Sequence, residues 1–363
     1  MAGGDLRARV EAALRAVMNP RLERDVVAAG MVEDIEVDAG GQVRIVFALG
    51  RDDPAALVRE ARRAAQAVPG VAGVKMQVAG GAQPQAATTP KPVPPPRARE
   101  LPNLGRVIAV SSGKGGVGKS TVAVNLAAAL ASAGRRVGLL DADVYGPNVP
   151  RMLGILDRQP EVVEGRRLLP IEAHGVKAIS LGNLVERDSA AIWRGPIIMK
   201  VIQQFLSDVV WGQLDYLLVD LPPGTGDAQL SLVQSVQVTG GIIVTTPQEV
   251  AVGDALRGAK MFEKVGVPVL GIVENMSFFH CPHCGQRTDI FSSGGGRRLA
   301  AELGVPLLAE IPLQERIQQL GESGTPVVLA EPGSPASVAF AALAAGLEER
   351  IAEAAVRLPI VAS

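Results

Sequence analysis

SSGKGGVGKST, residues 111–121, satisfies two phosphate-binding patterns at once: G-x-G-x-x-G, the dinucleotide fingerprint, and G-x-x-x-x-G-K-[ST], the P-loop. The dinucleotide reading draws support from Asp141, which ends the next apolar run roughly 20 residues on, where an acid can bind a ribose. It leaves Lys119 and Ser120 unexplained. In a P-loop each residue has a task. Gly113, Gly115, Gly116 and Gly118 let successive backbone N–H groups, Val117 among them, turn toward phosphate oxygens, and a helix beginning near Gly118 adds its dipole. Lys119 then reaches the outer phosphates and Ser120 coordinates Mg²⁺, with Thr121 next in the same nucleotide-binding run.

A second element separates the two readings. YLLVDLPPGTGD, residues 216–227, is an apolar strand ending in Asp220, placed to organise a Mg²⁺ shell through water. The Pro-Pro-Gly turn after it is suited to sensing a γ-phosphate. Together the two motifs point to ATP with Mg²⁺ as the ligand.

Around them, short apolar runs alternate with helical spacing: RVIAVSS, RVGLLDAD, VKAISLG, YLLVDLP, TGGIIVTT, VPVLGIVEN and PLLAEIP. Continuous apolar strands between helices predict an α/β domain with a mostly parallel sheet covered on both faces, a P-loop NTPase over residues 105–363, with its ligand beyond the carboxyl ends of the strands. Residues 79–104 are rich in Pro, Ala, Gln and Thr, lack apolar periodicity, and read as a flexible linker. Residues 1–78 carry helical, alternating, alternating, helical and alternating patterns, which predicts a small N-terminal α+β domain of order α-β-β-α-β. That domain contains no Cys or His and offers no soft metal ligand.

A chain of 363 residues with 47% hydrophobic and 20% charged residues has the composition of a globular protein. Its formal net charge of −1 argues against a nucleic-acid partner. The first residues mix acids and arginines, and no apolar run approaches the roughly 20 residues of a membrane span. The expectation is a cytoplasmic protein without stable membrane association. The only two cysteines, Cys281 and Cys284, form a C-x-x-C turn, which in a reducing compartment favours metal or redox chemistry over a disulfide. Two thiolates are too few for a closed soft-metal site, so four sulfur ligands require a second subunit. Zn²⁺ held within one chain with His280 and His283, or two free thiols, are the alternatives.

Lys114, inside the glycine loop, gives the pattern K-G-G-x-G-K-[ST]. This resembles the deviant Walker A group of P-loop ATPases, which includes the MinD, ParA, ArsA and nitrogenase iron protein families. The resemblance implies ATP sandwiched in a homodimer, with Lys114 reaching the partner's nucleotide. It also implies that DADVYGPNVP, residues 141–150, serves as switch I, with Asp143 orienting the attacking water and Asp141 helping near Mg²⁺. Capping a turn is the alternative for either acid. Asn275, at the end of VLGIVEN, is the candidate for holding the base, because an amide satisfies both donor and acceptor on adenine; a turn-forming Asn is the alternative.

With WRGP at 193–196, DLPPGTGD and ENMSFFHCPHCG following in order, residues 101–350 resemble the Mrp/ApbC iron-sulfur cluster carrier ATPases. The resemblance implies a [4Fe-4S] cluster bound by Cys281 and Cys284 of each subunit and passed from cluster donors to apo iron-sulfur proteins, modulated by slow ATP hydrolysis. NPRLERDVVAAGMVEDIEVDAGGQVRIVFAL, residues 19–49, resembles a PaaD-like domain. Related domains often carry Cys-Pro near the second helix, where this chain has GRDDPAALVRE, so target or partner binding is the expectation, with dimer stabilisation as the alternative. The rival functions are a positioning ATPase like MinD or ParA, which needs a basic terminal helix or basic surface, and a zinc-stabilised nucleotide switch. The C-terminal FAALAAGLEERIAEAAVRLPIVAS holds more acids than arginines and is expected to pack on the body.

Overall fold

The computed structural model describes residues 2–38, 40–49, 53–54, 56–79, 101–143, 146–163, 167–184, 195–224, 232 and 235–357. Residues 80–100 of the expected linker at 79–104, Val144 and Tyr145 of the expected switch, Trp193 and Arg194, and Thr225 to Asp227 lie outside them. The chain divides into two compact units, Met1–Val93 and Pro94–Ser363.

In the first unit, helices α1 (Ala2–Leu14) and α2 (Ala56–Gln66) pair with a three-stranded sheet of β1 (Val32–Val37), β2 (Gln42–Ala48) and β3 (Gly73–Ala79). β1 and β2 are antiparallel, and β2 and β3 parallel. The hairpin turns at Gly41, whose φ of 77° few other residues adopt, while the Asp38 carboxylate accepts the Gly40 and Gln42 N–H groups at 2.9 Å. Alternation in β2 sends Val43, Ile45 and Phe47 into one core with Leu14, Leu57 and Ala61.

The second unit is built on an eight-stranded sheet. Its strands are β4 (Arg106–Ser112), β5 (Val137–Asp141), β6 (Ile171–Ala173), β7 (Val176–Ser180), β8 (Tyr216–Asp220), β9 (Gly240–Thr245), β10 (Val269–Glu274) and, after the short hairpin strands β11 (Phe279–His280) and β12 (Arg287–Thr288), β13 (Leu307–Glu310). The spatial order is β6-β7-β5-β8-β4-β9-β10-β13, parallel throughout except for the β6–β7 edge. All seven expected strands form. The eighth, β6, is a short edge strand that returns through His174 and Gly175, both at positive φ (55° and 76°), as a primed two-residue turn requires.

Strands buried on both faces explain the unbroken apolar runs. Val107 and Ala109 of β4 join a core with Trp211 and Phe262, whereas Ile108 and Val110 join another with Leu126 of α3 (Lys119–Ser132) and Phe340 of the C-terminal helix. Trp211 is fully buried and donates its indole N–H to the Phe205 carbonyl at 2.9 Å. The C-terminal helix, Pro335–Arg357, lays Phe340, Leu343, Leu347 and Ile351 against the body. Among the described residues no helix is long and apolar enough to cross a membrane.

Strand register places the site. β8 lies between β4 and β5, so Asp220 pairs with Val110 on one side and with Asp141 on the other. The chain leaves β4 toward β5 on one flank and later returns to β9 on the other, which opens a crevice at the carboxyl end of β4.

Candidate nucleotide and thiol site

The glycine loop joins β4 to α3. Gly116 and Gly118 adopt φ of 81° and 79°, a region where other L-residues are strained. Gly118 is also the N-cap of α3, and a Cβ there would strike the Asn275 amide. At Gly113 a Cβ would strike the backbone at Asp254 and Ala255 in helix α4 (Glu249–Lys264). The loop is therefore glycine-rich for two reasons: left-handed backbone and close neighbours. No side chain caps the helix start, so its N–H groups face the crevice.

Beneath the loop Lys119 is 6% exposed and its Nζ lies 2.6 Å from Asp220 Oδ1, 3.4 Å from Ser120 Oγ and 3.9 Å from Asp143 Oδ2. The sequence-predicted phosphate lysine, Mg²⁺ hydroxyl and two of the three acids thus meet around one ammonium. Asp220 is fully buried, and its Oδ2 has no hydrogen-bond partner. Such an atom is costly unless something outside the protein engages it, and a hydrated cation beside Ser120 fits.

Asp141 does a different job. Its Oδ1 accepts the Asp143 N–H at 3.0 Å and its Oδ2 accepts the Ser180 hydroxyl at 2.9 Å. Burial, reinforced by the neighbouring Asp220 charge, pushes its carboxyl up to about 8. Asp141 accordingly braces the turn that follows β5 while Asp143 turns toward Lys119.

A pocket of about 170 Å³ sits over the loop, with Lys114, Gly115, Asp143 and Pro223 in its lining. The Gly224 N–H donates to the Ser112 carbonyl at 3.0 Å, docking the Pro-Pro-Gly turn on the loop. Lys114 is half-buried at this rim and makes no ion pair within the described residues.

A larger cavity of about 310 Å³ shares Thr121, Asn148 and Met152 with that pocket. Asn275 lines it, but part of its amide is already committed: Nδ2 donates to the Val117 carbonyl at 2.9 Å, so the side chain clamps the glycine loop as well as facing the cavity. The rest of the wall includes Met276, Leu313, Ile317 and Val327, none of which the sequence reading singled out. Met276 and Leu313 come from irregular segments that follow strands, and Ile317 and Val327 from the short helices Glu315–Glu322 and Val327–Ala330 after the last strand, where no motif spacing marks them.

Cys281 and Cys284 sit at the tip of the β11–β12 hairpin. The Cys281 N–H donates to the Gln286 carbonyl at 3.0 Å, the Gly285 N–H returns to the Cys281 carbonyl at 2.8 Å, and Gly285 has φ of 72°. Backbone N–H groups of Cys284 and then His283, followed by the Cys284 thiol, hydrogen-bond to the Cys281 sulfur and hold its thiol below the ordinary range. Both cysteines are free, Cys284 exposed and Cys281 partly so. Among the described residues no three His, Cys, Asp or Glu side chains are grouped to hold a metal. His280 Nδ1 instead lies 3.1 Å from the Gly285 carbonyl oxygen.

Among its described residues the first unit offers no comparable site. Ahead of its second helix, the Asp53 side chain is 5% exposed and accepts from Arg21 Nε at 2.9 Å and Asn19 Nδ2 at 3.1 Å, a latch between loops.

Comparison with known proteins agrees with this geometry. Residues 103–348 match the model of the NUBPL iron-transfer P-loop NTPases, and residues 7–76 match that of an iron-sulfur cluster assembly protein domain. The chain is 49% identical over 345 residues to the iron-sulfur cluster carrier protein of Deinococcus radiodurans, covering 93% of this chain and 94% of the relative. Among solved structures it is similar to a nucleotide-binding protein of Archaeoglobus fulgidus in complex with ADP, at 40% identity and a TM-score of 0.56 over 65% of this chain and 92% of that one. It is also similar to the cell division ATPase MinD of Pyrococcus furiosus, at 25% identity and a TM-score of 0.51 over 68% of this chain and 99% of that one. With its glycine loop, buried acid-ended strand and paired cysteines, the chain belongs to the NUBPL iron-transfer P-loop NTPase family.

Proposed function

We propose that the protein is a cytoplasmic iron-sulfur cluster carrier that works as a homodimer, holds a [4Fe-4S] cluster between subunits, and delivers it to apo-proteins under the control of ATP. The observation that carries this reading is the sharing of one short segment: Asn275 clamps the glycine loop, and Cys281 stands six residues later at the hairpin tip with Cys284, both thiols free. A positioning ATPase has no use for that thiol pair. A single-chain zinc switch is disfavoured because the histidines do not group with the thiols among the described residues.

ATP would lie with its phosphates on the loop N–H groups and its base in the cavity beside Asn275. Lys119 would leave Asp220 to engage the outer phosphates, a short move for a flexible side chain. Ser120 and, through water, Asp220 would hold Mg²⁺, which supplies charge neutralisation on the phosphates. Asp143 would orient a water whose oxygen bonds to the γ-phosphorus as the bond to the β–γ bridging oxygen breaks, leaving ADP and phosphate. Lys114 of each subunit would stabilise the charge that develops on its partner's nucleotide.

The cluster is cargo. Each subunit supplies two thiolates, so two subunits complete four sulfur ligands. The relatives' names agree with a carrier role. The N-terminal unit, which has no Cys or His, would recognise a target or a cluster donor rather than hold metal.

Two assays test the reading. Cluster-loaded protein mixed anaerobically with an apo [4Fe-4S] enzyme should restore that enzyme's activity, and a Cys281→Ala/Cys284→Ala variant should not; equal restoration by both would end the carrier reading. Lys114→Ala should abolish ATP turnover while retaining Mg-ATP binding, and unchanged turnover would remove the trans role of that lysine.

A further inference from the structure

Between the nucleotide loop and the thiols runs a single segment, Glu274 to Cys281, whose backbone is pinned along its length. The Glu274 carbonyl accepts the Ile311 N–H at 2.8 Å, the Ser277 N–H donates to the Ile311 carbonyl at 2.9 Å, and the Leu313 N–H donates to the Phe278 carbonyl at 2.7 Å. Met276 holds φ of 53°, an unfavourable conformation for a long side chain and one that persists only when its surroundings enforce it. Beside the thiols, Arg287 stacks 4.1 Å over the Phe278 ring, and His280 meets that ring edge-on at 5.2 Å.

A fully buried carboxylate governs the start of this segment. Glu274 Oε1 accepts the Ser277 hydroxyl at 2.6 Å, and Oε2 accepts the Gly296 N–H in the first turn of helix α5 (Gly295–Leu303). Neither oxygen faces the nucleotide pocket, and neither touches a thiol. The carboxylate instead closes the turn Glu274-Asn275-Met276-Ser277 onto the helix.

The two cavities differ in one respect that sets the direction of the argument. The larger is walled by Asn275, Met276 and Leu313, which belong to this segment or to the stretch hydrogen-bonded to it. The lining of the phosphate pocket contains no residue of the segment.

We propose that the segment is a rigid link reporting the occupancy of the base cavity to the thiol hairpin, and that Glu274, through Ser277, is the positioning residue that keeps it rigid. The effector is the purine end of a nucleoside di- or triphosphate. A base seated against Met276 and Leu313 removes slack from the hairpin root, whereas phosphates lie on the glycine loop and meet the segment only through the Asn275–Val117 hydrogen bond. This rests on the nucleotide reading of the site given above.

The test uses full-length, reduced, metal-free protein with Mg²⁺ present. Iodoacetamide alkylation of Cys281 and Cys284 is followed by peptide mass spectrometry without ligand, with ADP, and with tripolyphosphate, each saturating by equilibrium dialysis and by competition. ADP should slow alkylation about fivefold, the low end of ordinary coupling between two sites, and tripolyphosphate by less than about twofold. Ser277→Ala should keep its ADP affinity and lose the ADP effect. Glu274→Gln, which retains an acceptor for Gly296 and a partner for Ser277, should keep both. A purely structural role for Glu274 and Ser277 would leave the ligand dependence of the rates untouched. ADP that binds without changing the rates, an equal effect of ADP and tripolyphosphate, or a full ADP effect in Ser277→Ala would each overturn the link while leaving the nucleotide reading intact. Failure to bind ADP at all would overturn both. The wild-type comparison stands whatever the folding of the variants.

Discussion

Gly118→Ala perturbs the junction where the glycine loop, α3 and Asn275 meet. Two costs follow from the structure. Holding Ala at φ of 79° costs about 1–2 kcal/mol. The new methyl also displaces the Asn275 amide, whose donation to the buried Val117 carbonyl at 2.9 Å is then broken, adding about 1–3 kcal/mol for an unpaired group. The sum, about 2–5 kcal/mol, is a large share of an ordinary folding stability of about 5–15 kcal/mol. Because half of the penalty belongs to the clash, it should vanish when its partner is removed: in an Asn275→Ala background, Gly118→Ala should cost only the backbone strain, about 1–2 kcal/mol. Urea unfolding of the four proteins of this cycle, followed by tryptophan fluorescence, gives the coupling, since both tryptophans lie in the second unit. Strictly additive effects would show that Asn275 does not clamp the loop, and the geometric account of this site would fail.

Three further outcomes follow from individual contacts. Asp220→Asn leaves Lys119 buried without its 2.6 Å anionic partner, so it should destabilise the unit by about 3–5 kcal/mol and also abolish the Mg²⁺ dependence of ADP affinity; calorimetric titration with and without Mg²⁺ reads the second effect, and a retained dependence would place the metal elsewhere. The Asp141 carboxyl has a folded pKa raised to about 8 against an unfolded value of about 3.9, so the folded protein keeps a proton the unfolded chain releases, and stability falls as pH rises between those values, by about 1.4 kcal/mol per pH unit. Asp141→Asn should flatten that slope between pH 6 and 8 in urea unfolding, and an unchanged slope would count against a protonated Asp141. With its sulfur bonded by backbone N–H groups, Cys281 should be alkylated faster than Cys284 at pH 7 in the ligand-free protein despite its lower exposure, and the reverse order would contradict the activated-thiol assignment.

How far the sequence foretold this site depends on which kind of residue is asked about. The glycine loop was legible because its spacing encodes backbone conformations that only glycine supplies, and the parallel sheet because strands buried on both faces leave unbroken apolar runs. Asp220 was legible as the polar end of such a run. Asp143 and Asp141 were assigned separate parts only through the family resemblance, water and Mg²⁺; strand register adds what no local pattern carries, that Asp141 abuts Asp220 and is held by Ser180 and the backbone while Asp143 faces Lys119. Asn275 was chosen for what an amide can do for a base, and its second task, clamping Val117, depends on a contact across 158 positions that no local pattern encodes. The same holds for Glu274, which reads in sequence as one more charged strand end and proves to be a buried acceptor for a helix start and a hydroxyl. The edge strand β6 escaped because three residues carry too little periodicity to register.

Two thiolates per subunit and one cluster per dimer are the centre of the account. The direct measurement is iron and acid-labile sulfide per dimer after anaerobic reconstitution, with Mössbauer spectra of the same sample and of Cys281→Ala/Cys284→Ala. The account predicts about four irons and four sulfides per dimer with the signature of a [4Fe-4S] centre, lost in the variant. Tightly held zinc in place of iron, or a cluster that survives loss of both cysteines, would contradict it.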